Sequence, residues 1–233
     1  MDLDAIAGVA HEPAGTPHGV VLLTHGAGGS RDSPLLIRIC DHWADRGWLA
    51  IRYDLPYRRR RPKGPPSGSA ASDQAGVTEA IAVARQLTDG PVIAGGHSYG
   101  GRLTSMAVAE DAAVAALTLF SYPLHPPGKP ERLRTGHFDS ITVPTVFTHG
   151  SSDPFGSIEE LRAAAALIPA PTEIVEVTGA RHDLGSKVRA VPKGTNVPGV
   201  PQGTNVPDAP QGTNVPDVPR LAVDAALRLC RLG

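Results

Sequence analysis

The 233-residue chain is poor in cysteine and aromatic residues and has no excess of either charge. Its two cysteines, Cys40 and Cys230, lie far apart in segments of helical pattern, so neither a disulfide framework nor a cysteine-based metal site is expected. The 22 Lys and Arg against 23 Asp and Glu argue against a dedicated nucleic-acid binder. Because only 4% of the residues are aromatic, the core must consist mainly of Ala, Val, Leu and Ile.

The sequence also lacks the features of a signal peptide and of a membrane span. Its first 30 residues contain no Lys or Arg, and a signal peptide begins with a positively charged region. No apolar run approaches the ~18 residues that a spanning helix needs. We therefore expect a cytoplasmic protein without a membrane span.

A proline-rich motif of nine residues occurs three times near the end of the chain, starting at Pro192, Pro201 and Pro210. Each unit has too few apolar residues to bury a face against the next, so a solenoid is not expected. We predict a single domain over residues 1–233, in which residues 192–219 form a disordered insertion. A binding motif is the alternative for this repeat. About 205 residues then remain for the folded part, enough for a substantial core.

Short apolar runs alternate along the chain with longer segments of helical periodicity. Most runs are continuous, as expected for strands that helices cover on both faces. The series predicts a three-layer α/β fold with a doubly wound, mostly parallel sheet. The predicted strands are 20–23, 48–51, 91–94, 114–120, 144–147 and 173–177, and the predicted helices are 33–46, 72–87, 99–110, 157–167 and 221–232. In such a sheet the functional residues lie at the carboxyl ends of the strands.

The strongest motif, Gly-x-Ser-x-Gly, stands directly between the predicted strand 91–94 and the helix that follows it. A serine in this context occupies a sharp turn, and residues without bulk on either side let the strand and the helix pass closely. We predict that Ser98 is a nucleophile and that Gly96, His97 and Gly100 form the turn around it. A glycine-rich turn without a nucleophile is the alternative.

Two phosphate-binding patterns overlap the glycine-rich segments but lack essential residues. Arg102 and Leu103 stand where a P-loop needs Lys and Ser or Thr. Arg31 stands where a dinucleotide fingerprint that starts at Gly26 needs its third glycine. Neither class of nucleotide-binding protein is expected.

A serine alone is a poor nucleophile and needs a base and an orienting acid. In sheets with this motif they follow in the order Ser, Asp, His, and Asp153 and His182 come directly after the last two predicted strands. We predict Asp153 as the acid and His182 as the base. The backbone N–H groups of Ala27 and Tyr99 are the candidate donors to an oxyanion. For the loop around Ala27, a flexible glycine turn is the alternative.

Two further segments follow predicted strands and are candidates for the rim of the site. One is the basic run that starts with Arg58 and Arg59, which would attract an anionic substrate; the other contains His125. The alternatives are a solvated loop for the arginines and a plain connection for the segment of His125. No metal-ligand spacing links the histidines near the strand ends, so no metal site is expected.

Five stretches of the chain match a known family: HGAGG (25–29), DLPYR (54–58), GGHSYGGR (95–102), YPLHPPGKP (122–130) and DPFG (153–156). In combination they resemble the α/β-hydrolase superfamily over nearly the whole chain outside the repeat. The closer resemblance is to bacterial relatives of testis-expressed and NSL-complex α/β-hydrolase-like proteins, often labelled dienelactone-hydrolase-related. The resemblance implies a minimal α/β-hydrolase fold without a large lid domain. Ser98 stands where true dienelactone hydrolases carry Cys, which argues against that narrower activity.

These observations predict a serine hydrolase that acts on small carboxylic esters or thioesters, anionic ones included. The predicted mechanism requires no cofactor. A hydrolase-fold interaction module without catalytic activity is the alternative, since some relatives in the resembling group are scaffold subunits. An intact set of Ser98, Asp153 and His182 argues against this alternative, because a binding role does not require it.

Overall fold

A seven-stranded sheet forms the centre of the computed structural model, which describes residues 3–66, 69–185 and 217–230. The strands are β1 (Gly8–His11), β2 (Val20–Thr24), β3 (Leu49–Tyr53), β4 (Val92–His97), β5 (Ala116–Phe120), β6 (Thr145–Gly150) and β7 (Thr172–Val177). Their order is β1-β3-β2-β4-β5-β6-β7, and every neighbouring pair except β1 and β3 is parallel. The prediction of a mostly parallel sheet is therefore confirmed. The antiparallel edge strand β1 was not predicted, and all four of its residues are only half-buried.

Helices cover both faces of this sheet and complete three layers. They are α1 (Pro34–Asp45), α2 (Pro56–Arg60), α3 (Ala70–Gln86), α4 (Tyr99–Ala109), α5 (Ile158–Ala165) and α6 (Val218–Cys230). Helices α1 and α6 contribute to the core on one face, whereas α3, α4 and α5 contribute to the core on the other. Among the helices of the described residues, none has the length and apolar character required to cross a membrane.

Two helices differ from the sequence-based expectation. The basic run forms the short helix α2 instead of a loop, with Pro56 at its first turn, where the missing N–H of proline has no cost. Helix α6 begins at Val218, which is buried, so the last two residues of the expected insertion belong to this helix. Asp217 is described and exposed, and residues 192–216 of that expected insertion lie outside the described residues.

Alternating side chains of the central strands enter the two cores. In β2 all five residues are buried; Val20 and Leu22 join the core with α3, and Val21 and Leu23 join the core with α1. This alternation follows from the period of two in a strand. A continuous apolar run is therefore the correct signature of a strand covered on both faces.

Both cysteines contact the core beneath α1 and α6 as free thiols. Cys40 is fully buried, and burial raises the pKa of its thiol to about 12. Cys230 is half-buried, and burial raises the pKa of its thiol to about 11. Both therefore remain protonated at neutral pH.

The path from β4 into α4 passes the end of β2 so closely that it needs glycine. A Cβ atom at Gly96 would lie 2.6 Å from the carbonyl oxygen of Thr24, and one at Gly100 would lie 2.5 Å from that of His25. Both contacts are with backbone atoms, which cannot rotate away as a side chain would. Only glycine fits these two positions without moving β2 or the loop that follows it.

Gly100→Ala is therefore expected to lower the free energy of unfolding, although alanine is the better helix former by about 1 kcal/mol. Overpacking against a rigid backbone costs about 1–3 kcal/mol and outweighs that gain. Urea denaturation measures the difference. The matched control is Gly136→Ala, because a Cβ there meets no atom within 4 Å. Equal stability of the two variants would contradict the close approach at Gly100.

Candidate active site

The loops after β2, β4, β6 and β7 meet at the carboxyl edge of the sheet. They carry Ala27, Ser98, Asp153 and His182 respectively. Because β2, β4, β5, β6 and β7 run parallel and adjacent, their carboxyl ends open on the same edge. The sheet order thus brings together residues that lie up to 155 positions apart in the chain.

Ser98 occupies a strained turn between β4 and α4. Its backbone angles are φ 51° and ψ −115°, outside the regions that a residue with a Cβ normally adopts. The Ser98 N–H donates a 2.8 Å hydrogen bond to the carbonyl of Phe120, at the end of β5. The residue is 9% exposed, so its side chain remains accessible to a small molecule.

The side chains of Ser98, His182 and Asp153 form a continuous hydrogen-bonded series. Nε2 of His182 lies 2.7 Å from Oγ of Ser98, and its Nδ1 lies 2.8 Å from Oδ2 of Asp153. A carboxylate only accepts, so Nδ1 is the donor to Asp153; in the tautomer that carries its proton there, Nε2 accepts from the Ser98 hydroxyl. The Asp153 side chain is fully buried, and its Oδ1 accepts the N–H of Phe155 at 2.9 Å.

Two neighbours that the sequence analysis did not assign hold His182 in place. The ring of Phe155 lies 4.2 Å from the His182 ring, centroid to centroid. Nε2 of His97 donates a 2.8 Å hydrogen bond to the His182 carbonyl. His97 was expected only as a residue of the turn at Ser98. The signal for Phe155 was its place directly after Asp153 and Pro154, but sequence alone does not show which way that ring points.

The loop after β2 lies against Ser98. A Cβ atom at Gly26 would lie 3.3 Å from the Cβ of Ser98. Among the hydrogen bonds between described residues, neither the Ala27 N–H nor the Tyr99 N–H donates to a protein acceptor. Tyr99 is the first residue of α4, where the positive end of the helix dipole favours a negative charge. Both N–H groups are thus available beside the serine.

A cavity of about 880 Å³ opens above these residues. Its lining includes Ser98, His182 and Phe155 together with the loop that carries Ala27. Arg58, one of the three rim candidates, also lines it. The alternative of a solvated loop is wrong for Arg58, which is buried and whose Nε donates to the Gly29 carbonyl at 2.7 Å.

The other two rim candidates, Arg59 and His125, are absent from the lining of this cavity. Arg59 donates to the carbonyl of Ala5 and lies 3.7 Å from the Glu79 carboxylate. His125 is buried; its Nδ1 donates to the Pro126 carbonyl, and its Nε2 lies 3.4 Å from Glu160. Helix α2 separates Arg58 from Arg59, since consecutive residues of a helix point in different directions. The expected rim position of Arg59 and His125 is corrected accordingly.

A serine at a strained strand-to-helix turn, beside a histidine whose other nitrogen bonds a buried carboxylate, is the arrangement found in serine hydrolases of α/β architecture. A comparison with family models gives the family of the chain. Residues 17–195 match the model of the alpha/beta hydrolase domain family, and the chain belongs to that family. The expected superfamily is thereby confirmed.

Solved structures of the same fold include an alpha-beta serine hydrolase homologue from Coxiella burnetii, with 16% identity and a TM-score of 0.64 over 76% of this chain and 83% of that one. Dienelactone hydrolase from Anabaena variabilis has 23% identity and a TM-score of 0.58 over 76% and 81%. Thermogutta terrifontis esterase 2, phosphonylated by sarin, has 19% identity and a TM-score of 0.59 over 76% and 80%. At these identities the likeness shows the shared fold alone.

The neutral state of His97 makes stability depend on pH. Burial lowers the pKa of His97 from its ordinary value of 6.5 to about 4. Between those two values the unfolded chain binds a proton that the folded protein does not, so the free energy of unfolding falls as the pH drops from 6.5 towards 4. For this one group the loss is on the order of a few kcal/mol.

His97→Gln is expected to flatten this pH dependence, as measured by urea denaturation at pH 7, 6, 5 and 4. Some slope remains in the variant, because burial also lowers the pKa of His137 to about 4. A slope equal to that of the wild type would contradict the neutral His97.

Proposed function

We propose that this protein is a serine hydrolase that cleaves small carboxylic esters or thioesters through an acyl-enzyme on Ser98. The observation that carries the proposal is the series of two short hydrogen bonds from Ser98 through His182 to Asp153. A solvated surface cluster does not need a fully buried carboxylate in that position. A base that activates a serine needs one, because the buried charge stabilises the imidazolium that forms.

The proposed first half-reaction is acylation. As Oγ of Ser98 attacks the carbonyl carbon, its proton passes to Nε2 of His182. The carbonyl oxygen becomes an oxyanion, to which the N–H groups of Ala27 and Tyr99 donate. When the tetrahedral intermediate collapses, the bond to the leaving alcohol or thiol breaks and His182 returns the proton to that group. Asp153 holds the ring orientation throughout.

The second half-reaction repeats these steps with water as the nucleophile. His182 removes a proton from water as the water oxygen attacks the acyl carbon. The bond between that carbon and Oγ of Ser98 then breaks, His182 returns the proton to Oγ, and the carboxylic acid leaves. The reaction requires no redox step and no cofactor. The cavity of about 880 Å³ agrees with a small substrate.

The comparisons support this proposal at the level of class. The sarin adduct of the Thermogutta esterase shows that a protein of this fold reacts with an organophosphorus reagent, and the same reactivity is proposed for Ser98. The narrower membership in the testis-expressed and NSL-like group, and a location in the cytoplasm, stay predictions.

Ser98→Ala is expected to abolish labelling by a fluorophosphonate probe and to lower kcat on p-nitrophenyl acetate at least about 10³-fold. The probe phosphorus bonds to the serine oxygen, which alanine lacks. Ser140→Ala is the control, because Ser140 is exposed and its hydroxyl donates only to the adjacent Asp139. Labelling that persists in the Ser98 variant would contradict the assignment of the nucleophile. Folded wild-type protein that neither reacts with the probe nor cleaves esters would favour the interaction module.

We further propose that the substrate carries a negative charge. Of the charged residues that line the cavity, Asp32 is paired with Arg52 at 2.6 Å, and Asp183 accepts the Gly185 N–H. Among the described residues, Lys63 and Arg181 have no carboxylate within ion-pair distance. With the buried Arg58, they leave the lining electropositive, which attracts anions over a distance of about 10 Å.

The double variant Lys63→Ala, Arg181→Ala is expected to lower kcat/KM for a hemisuccinate ester up to about thirty-fold and to change kcat/KM for a neutral acetate little. Each cation contributes about 1 kcal/mol in water at contact distance. Added salt should weaken the preference of the wild type for the hemisuccinate and affect the variant less, because only Arg58 remains there. Arg132→Ala is the control, because Arg132 is exposed and does not line the cavity. Equal losses on both esters would contradict the attraction of anions.

A further inference from the structure

Helix α2 holds the loop that carries the Ala27 N–H. The hydroxyl of Tyr57 donates a 2.8 Å hydrogen bond to the carbonyl of Ala27 and lies 3.3 Å from the carbonyl of Gly26. The next residue of the helix, Arg58, donates from Nε to the carbonyl of Gly29. Three carbonyls of one short loop thus contact two consecutive side chains of α2.

Because a peptide bond is planar, a contact that fixes a carbonyl also fixes the direction of the N–H group in the same peptide unit. The Gly26 carbonyl and the Ala27 N–H belong to the same peptide unit, which is trans, so the two point in opposite directions. The Gly26 oxygen also accepts hydrogen bonds from Nδ1 of His25 at 2.8 Å and from the Gly29 N–H at 3.0 Å. A carbonyl fixed on this side fixes the Ala27 N–H on the opposite side.

The loop has a second peptide unit of the same kind. The carbonyl of Ala27, which accepts the shorter bond from Tyr57, shares its peptide unit with the Gly28 N–H. The Tyr57 hydroxyl therefore restrains two successive N–H groups at once. Tyr57 itself is buried, and its ring packs edge-on against those of His25 and Tyr99, with centroids 5.7 and 6.1 Å away.

One buried carboxylate connects Tyr57 with the other proposed oxyanion donor. Oδ1 of Asp73 in α3 accepts the Tyr57 N–H at 2.9 Å, and its Oδ2 accepts the Tyr99 hydroxyl at 3.1 Å. Tyr99 supplies the N–H at the start of α4. Asp73 is 2% exposed, and each of its two carboxylate oxygens accepts one of these hydrogen bonds. It joins the two halves of the proposed oxyanion hole.

The approach of α2 to α3 is close. A Cβ atom at Gly76 would lie 2.3 Å from Cγ of Pro56, so a larger residue there would push α2 away. Glycine in the middle of a helix costs roughly 0.5–1 kcal/mol relative to alanine. Helix α3 has this less stable residue at the contact that brings α2 close to Asp73.

We propose that Tyr57 and Asp73 are positioning residues that fix the distance and direction between the Ala27 and Tyr99 N–H groups. This inference rests on the proposed hydrolase function. Neither side chain needs to touch the substrate. Both act because a donor stabilises an oxyanion only when it is aimed at the position where the charge develops, and the loss of one donor costs about 10²–10³ in rate.

The test uses Tyr57→Phe in the full-length protein, with kcat and KM on p-nitrophenyl acetate. A loosened donor affects the transition state more than the ground state, so kcat is expected to fall about ten-fold while KM changes less than about two-fold. The inhibition constant of an alkyl boronic acid should rise about ten-fold in parallel, because its tetrahedral adduct on Ser98 places an oxygen between the two donors. A role limited to stability would leave both values unchanged.

The matched control is Tyr122→Phe. This variant removes another buried hydroxyl that donates to a backbone carbonyl, that of Arg134 at 2.7 Å, away from the cavity lining. Its kcat and boronate affinity are expected to equal those of the wild type. Losses of the same size in Tyr57→Phe and Tyr122→Phe would overturn the proposal.

Asp73 is tested by Asp73→Asn beside Asp73→Ala. The amide keeps one acceptor for the Tyr57 N–H and offers a donor to the Tyr99 oxygen, so we expect it to retain most of the wild-type kcat. Alanine breaks both bonds and should lower kcat at least as much as Tyr57→Phe does. If alanine prevents folding, Tyr99→Phe removes the same Asp73 contact and should lower kcat in its place. Unchanged kcat in Tyr57→Phe, with an active wild type, overturns this inference alone; a wild type inert to ester and probe overturns the proposed function.

Discussion

The strained backbone of Ser98 is the constraint on which the rest of the site depends. A residue with a side chain held in such a conformation costs on the order of 1–3 kcal/mol, so the surrounding structure must enforce it. Here the N–H of Ser98 bonds to the end of β5, and Gly96 and Gly100 let β4 and α4 pass the end of β2. The packing of α4 on the sheet supplies the required stability. The packing of the core therefore offsets the backbone strain, and the side chain of Ser98 faces the cavity.

Three ionisable groups that support the site are buried. The Asp153 side chain is fully buried in the loop after β6, His97 is neutral at ordinary pH, and Asp73 of α3 bonds to residues of α2 and α4. Each of these groups is hydrogen-bonded, as a buried polar group must be. The exposed cations Lys63 and Arg181 stand at the opening instead. In the proposed function, these exposed cations attract the substrate, whereas the buried groups position the reacting atoms.

The sequence was sufficient where a function depends on a local pattern. The strands of the parallel sheet follow from continuous apolar runs, and the turn at Ser98 follows from the spacing of Gly96 and Gly100. It was insufficient where a side chain can turn either way. The basic run was expected to be a loop, whereas it forms a helix that buries Arg58 and leaves Arg59 exposed. The contacts of Tyr57 and Asp73 join segments 16 to 31 positions apart, and no pattern in a single sequence encodes such a pairing. The edge strand β1 was missed because it is half-buried and too short for a clear period.

The buried cysteines have a consequence for the chemistry of thiol reagents. The thiolate is the reactive form, and burial raises the pKa of both Cys40 and Cys230, so both thiols are protonated at neutral pH. Thiol reagents are therefore expected to react slowly with the two native cysteines. In Ser98→Cys, the new thiol would lie beside His182, which can act as a base and activate it. A probe, a spin label or a crosslinker could then be attached to this thiol at the floor of the cavity.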